Sequence, residues 1–278
     1  MSAHAWFEKF AAFGRKPSPE SYGCLFHPEG SVEDAGMSMP THARDTGAAI
    51  ALVLSKLPDL HIDMARYRAH GDTIFVDAHN KGTLADQKLA WRAVYRVHLR
   101  DGLVWRGRRY YDQAELLRPL LAGKPSLPTF TPPEGGEAPK HSTSRNFDIE
   151  HYCRMLSARD YEGLASMFAR RGVLAVPAEP RRLGREDIGA WLAFFDRLLN
   201  VERIEILDHV GDETLAFVEW RLTGTYGGQP LQLDGVDMLD LSDQHITSAR
   251  RNFDTLSLLA RTDPGIAAIR ASVIAGAR

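Results

Sequence analysis

The chain has 278 residues, 44% of them hydrophobic and 25% charged, with a formal net charge of −2. That length suits two domains of about 120–140 residues each, and the charge balance leaves no basic footprint for nucleic acid. No apolar run reaches the roughly 18–20 residues of a membrane span, and the start Met1–Glu8 has no basic-then-apolar leader. The expectation is a cytoplasmic protein. Cys24 and Cys153 both lie among apolar helical residues and read as small core residues, not as a disulfide. The 11 histidines show no HExxH-type spacing, so no metal site is expected.

In chain order, Trp6–Phe13 reads as a helix, Ser31–Asp34 as a strand and Gly47–Leu57 as a further helix. Four long strands follow, at His61–Ala69, Thr73–Lys81, Leu89–Leu99 and Val104–Tyr111. Residues 123–144 carry five prolines and several glycines without any period, and read as a linker between domain 1 (1–122) and domain 2 (145–263). Helices then recur through Ile149–Leu156, Tyr161–Phe168 and Gly184–Leu199, with a short strand at Val173–Val176. The strands Val201–His209, Thr214–Thr223, Leu231–Leu241 and Ile246–Phe253 close the second half. Residues 264–278 read as a C-terminal tail.

The two halves are copies. Gly82-Thr83, Asp101-Gly102 and Arg108-Arg109-Tyr110-Tyr111-Asp112 are matched 142 residues on by Gly224-Thr225, Asp243-Gln244 and Arg250-Arg251-Asn252-Phe253-Asp254. A repeat of that length is a duplicated domain. Helices followed by strands give an α+β class, here two tandem cone-shaped domains, each a curved mixed or antiparallel sheet wrapping about three helices.

This element order, with the closing Arg-x-aromatic-Asp, resembles the nuclear transport factor 2-like superfamily, and within it the SnoaL-like polyketide cyclases and the ketosteroid isomerases. The resemblance implies a ligand pocket inside each cone. It also implies sheet-to-sheet pairing, as an intramolecular pseudo-dimer or a homodimer. Isomerases of this kind set a helix tyrosine and a strand aspartic acid as an oxyanion hole opposite a carboxylate base. Tyr152 and Asp237 fall on the two donor positions of the second half, where the base position holds Val176. In the first half Asp34 falls on the base position, while Phe10 and Tyr95 replace the donors.

Strand alternation supports an inward side chain at Asp237, which shares a face with Leu231, Leu233 and Leu239, and at Tyr95, which shares one with Trp91, Val97 and Leu99. A carboxylate on an apolar face must be paired or protonated, so Asp237 is either the partner of an arginine or a proton donor. Arg109 and Arg251 share faces with Tyr111 and Phe253 and either bind substrate or neutralise Asp34 and Asp237. Asp112 and Asp254 are candidates for the late essential aspartate of SnoaL-like cyclases, or hydrogen-bonding residues at strand ends. Trp91 and Tyr111 are candidate pocket walls, and Trp220 is pocket wall or core.

These residues point to an enzyme that needs no cofactor and acts on a small apolar carbonyl compound. Asp34 would remove a proton and Tyr95 would stabilise the enolate. The alternatives are a non-catalytic binding or scaffold protein and, third, an epoxide hydrolase or epoxide-opening cyclase.

Overall fold

The computed structural model describes residues 2–34, 39–124, 126–128, 130–131 and 146–276. Most of the expected linker, 132–144, lies outside the described residues. The chain divides into two compact units, Met1–Pro125 with Asp254–Arg278, and Ser126–Phe253.

In the first unit, helix α1 (Ala3–Arg15) starts where the Ser2 side chain accepts from the Ala5 amide. Its aromatic residues Trp6, Phe10 and Phe13 recur at helical spacing and are buried together. A short helix α2 (Pro19–Gly23) follows, opened by a reciprocal Ser18–Ser21 capping box with proline in its first turn. Strands β1 (Phe26–Asp34) and β2 (Thr41–His42) lead into α3 (Ala43–Lys56). The long strands are β3 (His61–His70), β4 (Thr73–Leu84), β5 (Gln87–Arg100) and β6 (Leu103–Tyr110). The sheet order is β2-β1-β6-β5-β4-β3, with β1 parallel to β6 and every other pair antiparallel. Residues 101–102 turn the β5–β6 hairpin with positive φ at both positions, which glycine at 102 accommodates. Side chains of α1, α2 and α3 pack on one face of this sheet, around Trp6, Phe10, Tyr22, Ile50, Val76 and Trp91.

The second unit repeats the layout. Helices α5 (Ile149–Ala158) and α6 (Tyr161–Ser166) come first, where α4 is the short Gln113–Leu116 helix of the first unit. Then come β7 (Phe168–Ala175), β8 (Leu183–Gly184) and α7 (Arg185–Leu198). Strands β9 (Arg203–Gly211), β10 (Leu215–Tyr226), β11 (Gln229–Ser242) and β12 (His245–Asn252) complete a sheet ordered β8-β7-β12-β11-β10-β9. The α+β class and the tandem arrangement are those expected.

Several details differ from expectation. Residues 254–278 group with the first unit, not with a second domain ending at 263. They form α8 (Leu256–Thr262) and α9 (Pro264–Gly276) where a tail was expected. At its start the buried Asp254 carboxylate accepts from the Gln113, Leu256 and Ser257 amides, which ties this segment to α4. Part of the expected linker packs: Leu127 and Phe130 are buried, and Phe130 lies on Phe194 at 5.6 Å. Cys153 is buried, but Cys24 is exposed, because it caps α2 instead of facing the core. Strict alternation along the strand puts Trp105 on one face with Gly107, Arg109 and Tyr111, but the structure does not keep it there. The β5–β6 register shifts between His98 and Leu99, so Val104 takes the core position. Trp105 stacks instead with the guanidinium groups of Arg100 and Arg106, at 3.9 and 4.4 Å.

No helix among the described residues is long and apolar enough to cross a membrane.

Candidate functional site

Strand β6 lies between β1 and β5, so a side chain on it has one neighbour on each side. In the first unit Arg109 pairs in register with Asp34 on β1 and with Tyr95 on β5. The three form one cross-strand row. Arg109 grips Asp34 with two nitrogens, Nε to Oδ1 at 2.7 Å and Nη2 to Oδ2 at 2.9 Å. The pair is partly accessible, with side-chain exposures of 25% for Arg109 and 11% for Asp34.

Aromatic groups surround this row. The Tyr95 ring meets Phe10 edge-on at 4.9 Å, and its hydroxyl donates to Asn80 Oδ1 over a long 3.3 Å. Tyr22 packs tilted against Phe13 and edge-on against Phe26. Burial raises the pKa of Tyr22, Tyr95 and Tyr111, and the charge on Asp34 raises each further, against the opposing pull of Arg109. All three phenols are therefore protonated donors across the physiological range. Burial disfavours the Arg109 charge, but Asp34 and the phenols outweigh it and raise its pKa. Beside the row, a cavity of about 20 Å³ is lined by Trp6, Phe10, Tyr22, Val32 and Tyr95 among others. That is room for a water-sized group.

In the second unit the same arginine position turns the other way. Arg251 pairs in register with Asp237 on β11, its neighbour on the β5-like side. Nε donates to Oδ1 at 2.8 Å and Nη2 to Oδ2 at 2.6 Å. The Tyr152 hydroxyl adds a third bond, to Asp237 Oδ2 at 2.9 Å. This cluster is closed: side-chain exposures are 7% for Arg251 and 2% for Asp237, and Tyr152 is buried. Its single hydroxyl proton is spent on Asp237. Burial and then the Asp237 charge hold the Tyr152 pKa well above the ordinary phenol value. Val176, at the position of Asp34, is buried and apolar. Burial, with Glu150 and Asp237 adding to it, pushes the neighbouring Cys153 thiol up to about 12, so it stays an unreactive thiol.

The remaining expected residues fall as follows. Trp91 is a core residue of the first unit, and Tyr111 packs at the edge of that core. Phe253 is fully buried against Phe195 and Trp220. Trp220 is core: it lies across from Gly235 in register, and a methyl group placed on Gly235 would come within 2.3 Å of its ring. The Arg251 guanidinium sits 5.0 Å from the same ring.

Asp112 and Asp254 are helix caps of the first unit. Asp112 accepts from the Ala114 and Thr255 amides and the Thr255 hydroxyl. Asp254 receives the three amides named above. Backbone donors thus fill both carboxylates, in line with the hydrogen-bonding alternative for these strand ends. Sequence reasoning passed over Trp6 and Tyr22 as site residues; His79 and Asn80, neighbours on one strand, were expected to send only one side chain inward, and it is Asn80 that is buried. Tyr22 sits on α2, whose Ser-Pro-x-Ser opening was a readable signal.

No group of three or more metal-ligating side chains is placed to hold an ion among the described residues.

Residues 149–249 match the family of SnoaL-like domains. The matched stretch lies within the second unit, and the first unit repeats that unit's strand order. No curated protein matches the chain. Among solved structures, a hypothetical protein of Catenulispora acidiphila with a ketosteroid isomerase-like fold is 17% identical, over 45% of this chain and 96% of its own, with a TM-score of 0.40. A candidate polyketide cyclase of Bacillus cereus is 18% identical over 41% and 76%, at 0.37. A second such candidate, from Streptomyces antibioticus, is 13% identical over 43% and 99%, at 0.38.

Proposed function

We propose that the chain is a cofactor-independent enzyme of the cyclase or isomerase kind, with its chemistry in the first unit. The substrate is a small apolar compound with an acidic C–H next to a carbonyl. Asp34 accepts that proton, and Arg109 and the Tyr95 hydroxyl stabilise the enolate oxygen.

The observation that carries this reading is the Asp34–Arg109–Tyr95 row, partly open in the first unit, where its counterpart is shut. Charge balance favours it. Proton transfer moves the negative charge from Asp34 to the enolate, so Arg109 faces one anion before the step and one after. Tyr95 is held only by a long bond to Asn80, so turning its O–H toward a ligand costs little.

The test is exchange of the α-hydrogens of cyclopentanone in D2O, followed by NMR. The native protein should accelerate exchange over buffer, and Asp34→Asn should remove about 10²–10⁴-fold of that acceleration. Unchanged exchange in the variant rejects Asp34 as the base.

A second reading, binding without turnover, has its own support. The cavity beside the row is only about 20 Å³, and the second unit keeps its polar groups occupied with one another. A ligand that binds beside Tyr95 without any exchange would favour it.

A further inference from the structure

Trp6 stands apart from the residues considered so far. It is 1% exposed, and its indole Nε1 is buried without a hydrogen-bond partner among the described residues. A buried donor left unmatched costs about 1–3 kcal/mol, so such a group calls for a reason. Trp6 lies one helical turn before Phe10 on α1, the two rings 5.0 Å apart. Both line the cavity, together with Tyr22 and Tyr95. The residue at the matching place in the second unit is Asp148, which caps α5 by accepting from the His151 amide. The second unit also holds a buried indole nitrogen without a partner among the described residues, that of Trp220, but it is the Trp6 indole that lines the cavity beside the open row. The Trp6 indole also belongs to the copy whose helix has phenylalanine where the second unit has Tyr152.

We infer that Trp6 Nε1 is the helix-side hydrogen-bond donor to the ligand's oxygen, and that it restricts the first unit to ligands carrying a compact acceptor such as a carbonyl. This rests on the reading of that unit as the working copy. The cavity is otherwise lined by apolar side chains such as Phe26, Val32 and Val104, and by Tyr22, Tyr95 and Arg108. A hydrocarbon of the same shape would leave the indole N–H unmatched, whereas a carbonyl oxygen would match it. The Tyr95 hydroxyl has Asn80 to fall back on, whereas Trp6 Nε1 has no other partner among the described residues, so it is the donor that penalises a ligand lacking the acceptor. Trp6 acts here as a specificity-determining residue, with no proton transferred to or from it.

The experiment compares cyclopentanone with cyclopentane, two rings of similar size that differ in the oxygen. The chain has five tryptophans, and the indole N–H resonance missing from the spectrum of Trp6→Phe identifies that of Trp6. Trp6→Tyr provides the same assignment if the phenylalanine variant does not fold. In the native protein the Trp6 resonance should move saturably with cyclopentanone and stay in place with cyclopentane. Trp6→Phe should bind the ketone about three- to tenfold more weakly and the hydrocarbon equally well. A Trp6 resonance that ignores the ketone, or responds alike to both rings, overturns the inference. So does a folded Trp6→Phe with unaltered ketone affinity.

Repeating the titration in Asp34→Asn separates the two ideas. If Trp6 responds to the ketone but Asp34→Asn still exchanges its α-hydrogens, the catalytic assignment fails alone. If exchange is lost in Asp34→Asn while the Trp6 resonance never moves in the native protein, the donor assignment fails alone.

Discussion

The two units hold the same arginine in the same place and give it different partners. In the first, Arg109 takes its carboxylate from β1, through Asp34, and has Tyr95 on the other side. In the second, the residue just after β7 is the apolar Val176, and the carboxylate comes from β11, through Asp237. One ion pair per unit survives, moved across the arginine by one strand. The shift changes what the pair can do. Asp34 lies at the end of its strand and keeps 11% of its side chain exposed. Asp237 sits in mid-sheet with three donors filling its oxygens. A charge at the edge is available for chemistry, whereas a charge in the middle persists only as part of a closed network.

The largest contrast in stability should come from breaking each pair. Asp237→Ala leaves Arg251 buried and uncompensated, and should destabilise the chain by about 3–5 kcal/mol in denaturant unfolding. Asp34→Ala, at a partly exposed pair, should cost about 1 kcal/mol or less. Equal losses would mean that the two pairs are structurally alike. Next comes Gly235→Ala. The first unit has alanine at both matching places, Ala78 and Ala93, which are partners in register. The second has Trp220 against Gly235, and a methyl group there meets the indole ring. A cost of about 1–3 kcal/mol is expected, and none would show that Trp220 has room to move.

The phenol comparison is of similar size. Tyr152→Phe removes a bond to a buried carboxylate and should cost about 1.5–3 kcal/mol, whereas Tyr95→Phe removes a long neutral bond worth about 0.5–1 kcal/mol.

A pH effect should also separate capping from catalysis. Burial, with Asp112 adding to it, pushes Asp254 up to about 8 despite its amide donors. A carboxyl group whose folded pKa lies above its unfolded value stabilises the fold at low pH. That contribution is lost as pH rises from about 4 toward 8. Melting temperature should therefore decline over that window, and Asp254→Asn should flatten the decline. A decline of the same slope in the variant would place its origin elsewhere.

The scaffold was readable because strands announce themselves by alternation and the duplication let each half check the other. The inward placement of Asp237, Arg251, Tyr95 and Arg109 followed from period two alone. The partner of each arginine did not. Whether Arg109 pairs with β1 or β5 depends on strand order, which puts β6 between residues more than sixty positions apart. Trp105 was misplaced because a register shift adds one residue, and period counting cannot see it. Asp112 and Asp254 looked like candidates for chemistry because strand ends and helix starts share the same residue. Only the short helices beyond them reveal caps. Trp6 carried no signal at all, since an unmatched indole nitrogen is a property of packing.

The central claim is that the first unit's row does chemistry and the second unit's cluster does not. The direct measurement is cyclopentanone α-hydrogen exchange by Asp34→Asn and Asp237→Asn side by side, each confirmed folded by its melting transition. The account predicts that Asp34→Asn loses the acceleration and that Asp237→Asn keeps it while melting at lower temperature. Loss of exchange in folded Asp237→Asn, with exchange intact in Asp34→Asn, would contradict it.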